Sequence, residues 1–104
     1  MAAGLRWLGE TKNEAMYRME PAIQLRDARA DNMIYGVDLE RILAEPGVYI
    51  FGRRYGRQFE ALYVGKAGRM RSRVRTQLNN LSLMQHVRYA KAGKRILIAG
   101  RLVT

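Results

Sequence analysis

The chain has 104 residues, 48% hydrophobic and 27% charged, which suits one small domain with a single core and excludes wholesale disorder. It has no cysteine, which removes disulfides, thiolate zinc and a cysteine nucleophile. No apolar run approaches the ~18 residues of a membrane span and no secretory signal is seen, so a soluble cytoplasmic protein is expected. The formal charge of +10 is unevenly placed. Residues 1–40 carry five Lys and Arg against seven Asp and Glu, whereas residues 41–104 carry fourteen against two. Clustered cations are what phosphate binding draws on, so the second segment is expected to face nucleic acid; a basic surface kept for solubility is the plainer alternative.

Residues 1–37 give weak signals and are read as an irregular or helical arm. A short helix is expected after Pro21, carrying Ala22, Ile23 and Leu25, with a turn at Asp31–Asn32. Residues 38–104 read as the domain proper. Asp38 is placed to cap a short helix with Leu39, Ile42 and Leu43 on one face, and Pro46 ends it. Gly47 to Arg54 is rich in β-formers, Arg54 to Arg57 reads as a turn, and Phe59 to Val64 returns as the second strand of a hairpin. Gly65 and Gly68 are expected to break that strand. A helical stripe then follows through Met70, Val74, Leu78 and Leu81, and a second helix over Leu83 to Lys91 ends near Gly93. The run Ile96 to Ala99 reads as a third, more buried strand that resumes through Arg101 to Thr104. The expected architecture is α+β: a small antiparallel three-stranded sheet packed by helices.

Two tripeptides stand out on the hairpin, Gly47-Val48-Tyr49 and Tyr63-Val64-Gly65, the second continuing into Lys66-Ala67, with Arg73 on the helix that follows. This constellation resembles the GIY-YIG nuclease family, including its excision-repair, restriction and homing members. The resemblance covers residues 47 to about 104 and is closest between Tyr63 and Arg73. Valine replaces isoleucine in both tripeptides, and the interval between Tyr49 and Tyr63 slightly exceeds the family's usual one. The resemblance implies a metal-dependent DNA endonuclease that hydrolyses phosphodiester bonds, with DNA as partner and Mg²⁺ or Mn²⁺ as cofactor. It also implies roles. Tyr49 would be the general base or water orienter, Tyr63 would position water or phosphate, Lys66 would steady the tyrosine or phosphate, and Arg73 would stabilise the phosphorane.

Cutting a phosphodiester needs an activated water, a cation against the charge on phosphorus and help for the leaving oxygen. A tyrosine of pKa ~10 serves as a base only where neighbouring cations lower that value, and Lys66 and Arg73 are the expected ones. Arg53, Arg54 and Arg57 in the turn, with Arg69, Arg71 and Arg75 around the helix, are candidate phosphate contacts. Read without the resemblance, the tyrosines are strand-packing residues and the arginines a solvated helix face.

Three positions depart from the family pattern. Gln77 stands one turn after Arg73, where a base is often found; His86 is the single histidine and reads as a surface residue; and no acidic residue follows Glu60. The family's metal-binding glutamate, counted from Arg73, falls beyond Thr104, which implies a domain incomplete at its C-terminal end and little cutting by these residues alone. A non-catalytic nucleic-acid-binding module of the same fold is the alternative. A basic interaction protein in which the tyrosine motif is coincidental is the third.

Overall fold

The computed structural model describes residues 4–8, 14–28 and 32–103. In chain order the elements are β1 (Gly4–Leu8), β2 (Glu14–Met19), β3 (Ile23–Gln24), β4 (Arg26–Asp27), β5 (Tyr35–Gly36), a 3-10 turn (Leu39–Arg41), β6 (Gly47–Tyr55), β7 (Gln58–Ala67), α1 (Met70–Leu78), α2 (Leu81–Arg88) and β8 (Lys94–Leu102). The α+β class is as expected, but the sheet is larger than three strands. Five strands run in the order β1-β2-β8-β6-β7, all pairs antiparallel, and the short β3 also pairs with β8.

The helix expected around Ile23 is instead extended chain. Ile23 pairs with Leu97, Gln24 with Ile96, and the Leu25 amide donates to the Arg95 carbonyl at 2.8 Å. Ile23 and Leu25 are both buried with exposed Gln24 between them, which is the period of a strand and not of a helix. Asn32 lies in a turn, whereas Asp31 falls outside the described residues.

The signals from Asp38 onward translate more directly. The Asp38 carboxylate accepts from the Glu40 amide at 3.1 Å and caps the 3-10 turn, as its residue type favours. β6 and β7 form the hairpin, with a bulge where the register shifts between Phe51 and Gly52. β7 does not break at Gly65 but runs to Ala67, with Gly65 paired to Tyr49. A Cβ on Gly65 would collide with the Tyr49 ring and hydroxyl, so the missing side chain makes room for that tyrosine.

α1 packs Met70, Val74, Gln77 and Leu78 inward. Leu81 does not extend that stripe: it opens α2 and is 51% exposed. The helices cover one face of the sheet, where Ile42, Tyr49, Phe51, Met70, Val74, Met84, Val87 and Leu97 are wholly or almost wholly buried. Each such side chain contributes about 1.5–3 kcal/mol by leaving water. β8 is a single nine-residue strand and does not pause at Gly100; it lies in the middle of the sheet, between β2 and β6. Among the described residues no helix is long and apolar enough to cross a membrane.

Candidate active site

Antiparallel pairing sets Tyr49 opposite Gly65 and Phe51 opposite Tyr63, so the two tyrosines stand diagonally on the helix-covered face of neighbouring strands. Their ring centroids are 6.1 Å apart, and Tyr49 meets Phe51 edge-on at 5.9 Å. Tyr49 is 1% exposed and Tyr63 half-buried.

The hydroxyls are joined through α1. Gln77 Nε2 donates to the Tyr49 hydroxyl at 2.9 Å and approaches the Tyr63 hydroxyl at 3.4 Å, while Gln77 Oε1 faces Asn80 Nδ2 at 3.4 Å. One buried amide therefore links both tyrosines of the motif. α1 is fixed for this purpose at its N-terminus, where Arg69 supplies no side-chain cap. Instead the Met70 amide donates to the Glu45 carbonyl at 3.1 Å and the Arg71 amide to the Leu43 carbonyl at 3.2 Å, satisfying two of the helix's free donors. The Arg71 Nε adds a bond to the Ile42 carbonyl at 2.8 Å.

Arg73 lies one turn before Gln77, exposed, and near enough for its charge to act on Tyr49. The lowering of the tyrosine pKa expected from neighbouring cations is nevertheless outweighed. Burial raises the Tyr49 hydroxyl above its ordinary 10.0, Tyr63 adds to the rise, and the Gln77 bond and the Arg73 charge oppose it. Tyr49 is thus held in its neutral form at pH 7 and is not a phenolate ready to take a proton.

The remaining sequence candidates are distributed more widely. Lys66 pairs with Val48, and strand alternation sets it on the sheet face opposite the tyrosines, so the structure does not gather it into their cluster. Arg69 and Arg75 are exposed on α1, and Arg54 and Arg57 are exposed at the hairpin end. Arg53 is held by Glu60 at 2.5 Å and by the Ala92 carbonyl at 2.6 Å, and Arg71 by Ile42 as above; both serve the fold directly. The His86 ring lies 3.2 Å from the Leu62 carbonyl and fastens α2 to β7.

Sequence reasoning overlooked Arg95. Its Nε donates to Val87 O at 2.8 Å, Nη1 to Gly93 O at 2.7 Å, and Nη2 to Ala90 O at 2.8 Å and Arg88 O at 3.1 Å, which closes the C-terminal end of α2. A basic pair, Lys94-Arg95, opening a largely apolar strand was the signal in the sequence. Asn80 was likewise missed: its side chain accepts from the Leu83 amide at 3.1 Å and caps α2.

Comparison with protein-family models, with curated proteins and with solved structures gives no match.

Proposed function

We propose that this domain handles nucleic-acid phosphodiesters as a GIY-YIG-type DNA endonuclease domain. One observation carries the reading: the tyrosines of two tripeptides on adjacent strands share one amide on the helix that also bears Arg73. Half-buried Tyr63 offers its hydroxyl to a water or a phosphate oxygen, Tyr49 acts from behind it through the shared Gln77 amide, and Arg73 offers a cation to the charge that gathers on phosphorus. The exposed arginines of α1 and of the hairpin supply contacts to the flanking backbone.

The divalent metal implied by the family resemblance is not matched by the donors at this cluster. Hard cations take oxygen ligands that normally include a carboxylate, yet the cluster consists of hydroxyls and amides, and Glu60 is engaged by Arg53. Among the described residues no group of three His, Cys, Asp or Glu comes together. The described residues do not build a magnesium site, and the roles given to Tyr49, Tyr63 and Arg73 are not routed through one.

That same donor set favours a second reading, a binding module of this fold without catalysis. Nicking of supercoiled plasmid at low salt, with and without Mg²⁺ or Mn²⁺, separates the two. Metal-dependent nicking lost in Tyr49→Phe and Arg73→Ala supports the nuclease. Salt-sensitive binding without nicking supports the module or a nuclease domain short of its metal carboxylate, and cleavage that survives both substitutions refutes the roles assigned here.

A further inference from the structure

The end of the sheet beyond the tyrosine cluster carries a second arrangement. Tyr55 closes β6 and is 57% exposed, and Tyr89 follows α2 and is 75% exposed. Each ring has an arginine over its face: Arg53 lies 5.9 Å from the centroid of Tyr55 and Arg88 5.7 Å from that of Tyr89. Single exposed aromatics are ordinary on protein surfaces, but these two are held at one end of the fold. Arg53 donates to the Ala92 carbonyl and Arg54 pairs with Lys94. Gly93, at φ +139°, packs against the Arg54 backbone four residues after Tyr89, where a Cβ would stand 2.7 Å from the Arg54 carbonyl oxygen.

Positive charge predominates in the residues that build this end. Glu60 is the only acidic residue between Pro46 and Thr104, and its carboxyl is held below the usual range by its bond to Arg53 and by the charges of Arg53 and Lys91. Arg54 and Arg57 have no side-chain acceptor among the described residues. Cations that follow a phosphate backbone, interleaved with aromatic faces, are what single strands use, because unpaired bases have free π-faces and bases within a duplex do not.

We propose that this end is a platform for unpaired nucleotides, with bases stacking on Tyr55 and Tyr89 and phosphates meeting Arg54 and Arg57. The proposal deepens the phosphodiester reading above and rests on it for the polyanionic partner. It makes the preferred substrate a strand with unpaired bases about 20 Å from the tyrosine cluster, the length of six residues of β6.

Fluorescence anisotropy with a labelled oligothymidylate and with a labelled duplex of equal length tests this. Tyr55→Ala with Tyr89→Ala should weaken single-strand binding by roughly fivefold to a hundredfold per ring and leave duplex binding and the salt slope nearly unchanged. Tyr55→Phe with Tyr89→Phe should retain the affinity, and unchanged circular dichroism and melting temperature check that the alanine variant is folded. Equal weakening on duplex, no weakening at all, or displacement of the oligonucleotide by polyglutamate at comparable concentration would overturn it. The assay needs no cleavage. Intact single-strand preference without nicking supports the platform and counts only against catalysis by these residues alone, and nicking without that preference refutes the platform alone.

Discussion

Replacing Gly65 with alanine tests how tightly the tyrosine cluster is built. The added Cβ would strike the hydroxyl end of Tyr49, with Cε1 at 2.8 Å, and the ring has little freedom to yield: it is 1% exposed and confined by Phe51 and Tyr63. Overpacking of this kind costs about 1–3 kcal/mol, offset by about 0.4–1 kcal/mol because alanine has less unfolded-state freedom than glycine. A net loss of about 1–2 kcal/mol is expected, or roughly 4–16 °C in melting temperature for a domain of this size. The Tyr49 hydroxyl should also move off Gln77. Urea denaturation of Gly65→Ala in the wild-type and Tyr49→Leu backgrounds isolates the cause, since leucine does not reach the Cβ. The substitution should be destabilising in the first background and neutral or stabilising in the second. Equal cost in both would refute the steric argument.

Other consequences are open to similar measurement. Tyr49→Phe removes the 2.9 Å bond from Gln77 and should cost about 1 kcal/mol in denaturant titration at neutral pH. The Tyr49 pKa is raised in the folded state, so above about pH 10 the unfolded chain loses that proton first. Stability present below that pH therefore falls as pH rises towards the folded-state value, and Tyr49→Phe should flatten that part of the profile relative to wild type. Arg95→Lys cannot reproduce a guanidinium shared among four carbonyls and should destabilise by roughly 2 kcal/mol, with early loss of amide protection in α2. Asn80→Ala removes the α2 cap and should cost about 1 kcal/mol in thermal unfolding, less than Arg95→Lys.

The hairpin, the Asp38 cap and the Met70-Val74-Leu78 face were legible because each is written in neighbouring residues: β-formers bounded by turns, an acceptor before a helical turn, an apolar stripe. Gln77 was read as a departure from a family pattern. Its burial depends on Tyr49 and Tyr63, which come from strands 28 and 14 residues earlier, and only the fold brings them together. The face taken by Lys66 was within reach of the sequence. Three residues along an unbroken strand reverse the side-chain direction, and the reading failed because Gly65 was taken as a break. The strands of the N-terminal segment were hidden for a different reason. Ile23 and Leu25 alternate over too few residues to outweigh helix signals, and their extended form is imposed by β8.

The position of β8 gives the fold a particular order of assembly. The β1–β2 hairpin and the β6–β7 hairpin can each form locally, but residues 94–102 must insert between β2 and β6 before they share one sheet. As synthesis proceeds, both wait with an unpaired edge until a segment made after both has arrived, and closing that gap joins residues some eighty positions apart. A reporter at Tyr49 should therefore respond when β6, β7 and α1 assemble, and one at Tyr17, whose strand is joined through β8, when the whole sheet closes.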